Sequence, residues 1–144
     1  MNKPIRILLA FILVGIIALF LVYKFVYNKP HPDYQNIKPD YTLHAVDLFN
    51  AFKNHKDASA KLYNGKIVQI DGSLTRIEAK DSLAIVVFAF SQGMFGDEGI
   101  RCTMIKKLNE DAKKLVPGGT VKIKGYCTGY NDTDVILEQC SVVF

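Results

Sequence analysis

The stretches GKIVQIDG (residues 65–72) and GTVKIKG (residues 119–125) decide the fold of this chain. In both, apolar and polar side chains alternate between glycines, which is the period of a β-strand with one buried face. Gly72 falls inside the first predicted strand, where a glycine marks a bulge or a tight bend. The two stretches therefore predict a small β-domain in which at least one strand bends.

The regions around these stretches predict three more strands and two helices. The five predicted strands cover residues 66–77, 83–90, 100–105, 120–127 and 134–144. A glycine-rich loop is expected at residues 91–99, and a short helix at 106–115 ends before Pro117. Residues 42–63 predict a leading helix with Thr42 as its N-cap and, on its buried face, Leu43, Val46, Phe49 and Phe52.

Five strands with a helix between the third and the fourth are the layout of an OB-fold barrel. A long first strand with a glycine in its middle suits a barrel in which one strand bends between two sheets. A small barrel also leaves no exposed edge, which suits a domain of this size. The predicted fold is therefore mainly β: a five-stranded OB-fold barrel with a leading α-helix, over residues 42–144.

The second predicted strand is apolar on both faces, so a neighbouring element must cover it. The side chains concerned are Val86, Phe88 and Phe90, or the residues that alternate with them. We expect the leading helix to be the cover, which would block the face on which OB-folds bind ligands. The alternative is an exposed apolar groove for a partner protein.

The N-terminal stretch ILLAFILVGIIALFLVY (residues 7–23) is a single apolar run with basic residues on both sides. A helix of this length just crosses a hydrocarbon core, so residues 1–27 are expected to form one transmembrane anchor, which meets the membrane through residues 7–27. The residues after the run are bulky, whereas a signal peptidase site needs small ones. An uncleaved anchor is therefore favoured over a cleaved signal peptide or a buried helix. Residues 28–41 contain three prolines and predict an extended linker.

The charge distribution bears on both location and partner. Basic residues flank the apolar run almost equally, but a very short N-terminal tail favours the cytoplasm. We therefore expect a single-pass protein of the bacterial inner membrane with a periplasmic C-terminal domain. All 14 acidic residues lie beyond residue 30, together with 14 of the 18 basic residues, so the globular part is neutral. A neutral domain does not favour nucleic acid as the partner.

No set of residues predicts catalysis, a metal site or a cofactor. Asp97 and Glu98 form a carboxylate pair, but in a predicted loop, where a solvated turn is the simpler interpretation. The three histidines lie in the linker or the leading helix, away from the three cysteines. In an OB barrel the third and fifth strands are neighbours, so Cys102 and Cys140 could form a disulfide. The alternative is that the cysteines are small buried hydrophobes.

Three segments resemble the tRNA_anti-like family of bacterial OB-fold domains: AKLYNGKIVQIDG (60–72), IRCTM (100–104) and LVPGGTVKIKGYCTGYNDTDVILEQC (115–140). The resemblance covers residues 43–143 and rests on the spacing of strands, glycines and cysteines. It implies an OB-fold, and members of the family often carry a lipoprotein signal or an N-terminal anchor. The family name reflects similarity to anticodon-binding domains and does not by itself imply tRNA binding.

OB-folds bind ligands on the face of strands two and three, beside the loops that join strands 1–2 and 4–5. Those loops are expected at residues 79–82 and 129–134. Tyr126 and Tyr130 are candidates to stack on a base or a sugar, whereas Lys80, Arg101 and Lys124 are candidates to meet an anion. The alternative is that the cations are solvated and the tyrosines cap the barrel end.

The sequence therefore predicts a membrane-anchored, non-enzymatic OB-fold module that binds or scaffolds an unknown protein or glycan. The main alternative is a domain on the cytoplasmic side that binds tRNA or single-stranded DNA. A haem carrier, like the haem chaperone of cytochrome c maturation, is disfavoured because no histidine follows His55.

Overall fold

The structure, a computed structural model, describes residues 3–27 and 33–144 and divides at residue 32 into two units. The first unit contains helix α1, Lys3–Val22, followed by a π-helical turn at Tyr23–Tyr27. An 18-residue window of this helix reaches a mean hydropathy of 3.0, and none of that window is buried. The helix is thus long and apolar enough to cross a membrane, although an N-terminal signal sequence has the same properties. Residues 28–32 of the predicted linker lie outside the described residues.

The second unit spans Asp33–Phe144, and the domain boundary expected at residue 42 stays a prediction. Its strands are β1 (Tyr41–His44), β2 (Ile67–Ser73), β3 (Arg76–Lys80), β4 (Leu83–Gly93), β5 (Gly96–Met104), β6 (Thr120–Tyr130) and β7 (Asp134–Val143). Its helices are α2 (Ala45–Asn54), α3 (Lys56–Tyr63), a 3-10 turn at Lys106–Leu108 and α4 (Asn109–Lys113).

The strands form one sheet in the order β1-β2-β6-β7-β5-β4-β3. Among the described residues this gives seven strands in an open hydrogen-bonded sheet, so the prediction of a closed five-stranded barrel is wrong in count and in closure. The predicted first strand breaks after Ser73, where Leu74 N donates to Gly119 O and Thr75 N to Val87 O. Its two halves then pair with different partners, β2 with β6 and β3 with β4. Counted as one bent strand, β2 and β3 restore the predicted order of strands and helices.

The remaining strand, β1, was predicted as the start of the leading helix. Thr42 pairs with Gln69 of the parallel strand β2, so Thr42 belongs to the sheet and is not an N-cap. The helix begins at Ala45, and the preceding His44 makes no side-chain capping bond. The buried face of the helix therefore agrees with the prediction at Phe49 and Phe52 but not at Leu43 and Val46. That face consists of Ala45, Leu48, Phe49 and Phe52, whereas Val46 is exposed.

A second difference concerns residues 91–99, which form a β-hairpin and not a loop. Strands β4 and β5 stay paired as far as Gly93 and Gly96, with two residues at the tip. Polar side chains stabilise this extension because they face each other across the hairpin. Ser91 Oγ donates to Glu98 Oε2 at 2.8 Å, and Gln92 donates to Asp97. The hydrophobic pattern could not reveal these polar strands.

The core lies inside the curved sheet, and α2 packs into it. Its Phe49 ring lies 5.5 Å from that of Phe90 in β4, between centroids. The leading helix thus covers the inner side of β4, as predicted. The other buried residues of the core include Val68, Ile70, Val86, Phe88, Ile100, Met104, Ile123, Val135 and Leu137. Because α2 lies on the inner side, it does not cover the outer side of the sheet, so the expectation that it blocks the ligand-binding face is wrong.

Candidate functional site

The outer side of β3, β4, β5 and β7 is the surface on which the predicted fold would bind a ligand. Along these strands, residues that face outward alternate with residues that face the core. The outward-facing residues include charged side chains around Val87. Arg76 pairs with Val87 in the β3–β4 ladder, and Arg101 pairs with Val87 in the β4–β5 ladder. Val87 is only 2% exposed. Two arginines therefore flank an apolar side chain on this surface.

The two arginines belong to an ion-pair network that spans four strands. Arg101 Nε donates to Asp134 Oδ2 at 2.8 Å, and Arg101 Nη1 donates to Glu78 Oε2 at 2.7 Å. The other oxygen of Glu78 accepts from Arg76 Nε at 2.8 Å, and Arg76 also pairs with Asp97. We call these five residues the outer-face network. They join β3, β5 and β7 across the apolar outer side of β4.

The network neutralises its own cations. It contains two arginines and three carboxylates, so it carries one net negative charge. Partial burial alone would raise the pKa of Glu78, but hydrogen bonds from Arg76 and Arg101 outweigh burial and hold that pKa below its usual value. Hydrogen bonds to Glu78 and then Asp97 raise the pKa of Arg76, and those to Asp134 and then Glu78 raise the pKa of Arg101. Glu78 is therefore ionised at neutral pH, and all five side chains are paired within the network.

Asp134 connects this network to the β6–β7 loop, one of the two loops expected beside a ligand. Its Oδ1 accepts from Gly99 N at 3.1 Å, while its own backbone N donates to Asn131 Oδ1 at 2.6 Å. Asn131 Oδ1 also accepts from Thr133 N. The loop is consequently tied to β5 through a carboxylate that is itself buried.

The predicted anion-binding residues are placed on different parts of the surface. Arg101 belongs to the outer-face network. Lys124 donates from Nζ to Gln35 O at 2.6 Å and to Ile37 O at 2.8 Å, and so binds the polypeptide itself. Lys80 is exposed beside the β3–β4 turn and makes no ion pair within the described parts of the chain. The structure therefore does not gather these three cations into one site.

The predicted stacking residues also have partners inside the domain. Tyr126 lies 5.7 Å from Tyr34 and Tyr130 lies 5.9 Å from Phe52, between ring centroids. Lys56 Nζ lies 6.0 Å from the Tyr130 ring. Tyr130 thus packs against the core, partly buried. Tyr126 instead helps Lys124 to hold residues 34–37 on the outer side of β6.

A cavity of about 480 Å³ opens between the β3–β4 turn and α4, at a place where the sequence pattern predicts no site. Apolar residues of the strand ends form much of its lining, with Lys106 and Lys113 beside them. Asn109 fixes its shape because Oδ1 accepts from Ala84 N at 3.0 Å and Nδ2 donates to Ser82 O at 2.6 Å. In the sequence, the feature that could have indicated this cavity is Leu83. It is an apolar residue on the outward-facing side of its strand, where no predicted element covers it.

The three cysteines are buried and carry free thiols. Burial raises the pKa of Cys127 to about 11. Burial, and then contact with Cys102, raises the pKa of Cys140 well above its usual value. Cys102 and Cys140 are thus neighbours, and a disulfide between them stays a prediction. Across residues 3–27 and 33–144 no three His, Cys, Asp or Glu side chains are grouped as a metal site.

Fold and site together define a class of protein: an OB-fold domain that follows an apolar N-terminal helix. The family model described as tRNA_anti-like matches residues 1–142. The chain therefore belongs to the tRNA_anti-like family, which confirms the resemblance found in its strands and glycines. No curated protein matches the chain.

A solved structure with a TM-score above 0.5 supports the fold. A crystal structure described as that of a "putative nucleic acid-binding lipoprotein" from Klebsiella pneumoniae is 17% identical, with a TM-score of 0.57, over 81% of this chain and 100% of that one. The S. pombe Stn1-ten1 complex matches at 15% identity and a TM-score of 0.37, over 54% of this chain and 57% of the other. Asparaginyl-tRNA synthetase from Pyrococcus horikoshii matches at 17% identity and a TM-score of 0.37, over 57% of this chain and 20% of the other.

Proposed function

We propose that this protein is a non-enzymatic OB-fold binding module, held at the bacterial inner membrane by α1 with its domain on the periplasmic side. The observation that carries the proposal is the outer-face network. Both arginines on the expected ligand surface are already paired with carboxylates, so neither is available to neutralise a phosphate. A surface of this kind suits a neutral or mixed-charge partner, such as a protein or a glycan.

The chemistry of the site supports a binding role over catalysis. The carboxylates of the outer face accept hydrogen bonds from arginines, and lowering of the Glu78 pKa makes that residue a poor proton donor. The Cys127 and Cys140 thiols are buried with raised pKa values, which disfavours the thiolate that a nucleophile requires. The apolar, unburied helix α1 supports attachment to a membrane.

The rival function is nucleic-acid binding on the cytoplasmic side, and the description of the Klebsiella lipoprotein favours it. At 17% identity that likeness extends to the fold alone. Against this rival stand the neutral charge of the globular part and the negative charge of the outer-face network. The two functions place the domain on opposite sides of the membrane, so orientation separates them.

Orientation can be tested with an added cysteine, because the three native thiols are buried. Lys107→Cys places a thiol on the exposed 3-10 turn. We expect a membrane-impermeant maleimide to label this variant in intact cells, whereas the unsubstituted protein stays unlabelled. The purified full chain should bind neither tRNA nor single-stranded DNA with a steep salt dependence. Labelling only after lysis, together with salt-dependent binding, would overturn the proposal in favour of its rival.

A further inference from the structure

The tip of the β4–β5 hairpin carries two adjacent apolar side chains that contact almost nothing in the domain. Met94 is 95% exposed and Phe95 is 93% exposed. Single exposed apolar residues are common on protein surfaces, and the other large ones described between residues 33 and 143 are less exposed. Two neighbouring ones at the end of a protruding element indicate a contact with something outside the domain.

The hairpin holds this tip rigidly. Gly93 pairs with Gly96, so the tip is a two-residue turn, and the positive φ of 115° at Gly96 is one that glycine readily adopts. Below the turn, Lys53 of α2 donates to Glu98 Oε2 at 2.7 Å and to Ser91 Oγ at 3.1 Å. The core helix therefore braces the hairpin. Met94 and Phe95 are presented on a fixed stem.

The charges of the stem close to the tip are also paired. Glu98 pairs with Lys53, and Asp97 pairs with Arg76. Each carboxylate next to the apolar turn is thus matched by a cation, so an apolar medium can approach the tip without meeting an unpaired charge. Paired charges of this kind do not attract nucleic acid or an acidic membrane. Insertion would therefore be driven by Met94 and Phe95 alone.

We propose that Met94 and Phe95 insert into the interfacial layer of the membrane that holds α1. The bilayer is the occupant to expect because the same chain carries a helix long enough to span one, so the domain is never far from lipid. This inference rests on the membrane attachment in the proposed function. A two-residue turn reaches only the headgroup boundary, where its backbone groups remain hydrated.

The chain contains no tryptophan, which makes a direct test available. Phe95→Trp gives a full-length protein with a single tryptophan at the tip, and Met94→Trp gives a second reporter beside it. The matched control is Phe144→Trp, because Phe144 is an equally exposed aromatic residue of the same domain. Phe11→Trp places the reporter in α1. Each variant is reconstituted into nanodiscs of phospholipid, with and without bromine on the acyl chains near the headgroup.

We expect both tip reporters to emit at shorter wavelength in nanodiscs than in the same variants unfolded in denaturant without detergent. Their emission should also lose intensity with brominated lipid. Phe144→Trp should show neither change. If Phe11→Trp is quenched but the tip reporters behave like Phe144→Trp, the chain is anchored and the tip inference is wrong. If Phe11→Trp is not quenched, the membrane attachment itself fails. Protection of the tip in native membranes but not in lipid nanodiscs would identify a protein partner and overturn the inference.

Discussion

Glu78 of β3 and Arg101 of β5 are joined across the intervening strand β4, with Arg101 Nη1 donating to Glu78 Oε2 at 2.7 Å. The bond passes over the outer side of β4, and the paired side chains lie around Val87, which is only 2% exposed. Charged side chains thus shield an apolar position that would otherwise be exposed on the expected ligand surface. Because Arg101 donates to Glu78 in this bond, the same donor is not available to bind an anion.

Replacing Glu78 by Gln should lower the free energy of unfolding at neutral pH by about 1 kcal/mol, since the pairs are partly exposed. The pKa of Glu78 is lowered in the folded protein, so its stabilising effect is present above the unfolded pKa near 4.5 and is lost as the pH falls through the folded value. The difference between wild type and Glu78→Gln should therefore shrink on acidification. Urea denaturation of both proteins as a function of pH measures this.

The control for Glu78 is Glu138→Gln, a change of the same charge on an exposed side chain of β7 without an ion pair in the described chain. It should leave the free energy of unfolding unchanged within error. An equal loss in both variants would mean that the effect of Glu78 reflects overall charge and not its two arginines.

The outer-face network also predicts a gain of function. Glu78→Gln combined with Asp134→Asn removes both partners of Arg101 and changes the net charge of the network from one negative to one positive. We expect weak binding of single-stranded DNA to appear, with an affinity that falls as salt increases. Fluorescence anisotropy with labelled oligonucleotide measures it. A double variant with the same charge change elsewhere, Glu138→Gln with Asp57→Asn, should not bind.

Alternation of side chains was sufficient to predict β2 and β6, because each has one face in the core. It failed for β1, whose position depends on residues far along the chain: Asp40 Oδ2 accepts from Ile67 N at 2.8 Å, and Asp40 N donates to Ile67 O. It also could not show that Arg101 meets Glu78, 23 positions away. Local patterns predicted the strands, whereas the availability of each cation was decided by non-local partners.

Lys124 should control how residues 33–40 are held on the domain. In Lys124→Met the carbonyls of Gln35 and Ile37 lose their donor, so the segment is expected to open more often. Hydrogen exchange should become faster at the amides of Asn36 and Asp40. Lys122→Met is the matched control, because the Lys122 side chain lies on the same face of β6 and has no hydrogen-bond partner among the residues described. Equal acceleration in both variants would contradict this role.

The pair His44–Asp71 should make the attachment of β1 depend on pH. His44 Nδ1 and Asp71 Oδ2 lie 2.8 Å apart, and this hydrogen bond raises the pKa of His44. The pair therefore stabilises the fold fully below the unfolded histidine pKa of about 6.5, and the effect is lost as the pH rises through the folded value. NMR titration should show a lower His44 pKa in Asp71→Asn. Asp47→Asn should lower it less, because Asp47 acts only through a weaker charge interaction; the reverse order would exclude the pair as the cause.

Gly125 is required by the close approach of β7, and not by its own backbone angles. A Cβ at this position would overlap Cys140 Sγ and lie 3.3 Å from Leu137 Cβ. Gly125→Ala should therefore lower the free energy of unfolding by about 1–3 kcal/mol, through overpacking. If the thiol is the obstacle, Gly125→Ala combined with Cys140→Ala should be less destabilised than the sum of the single variants. Gly125→Ala with Cys102→Ala, which removes the neighbouring buried thiol instead, should be additive. Additivity in both combinations, measured by urea denaturation, would mean that the backbone of β7 and not Cys140 sets the need for glycine.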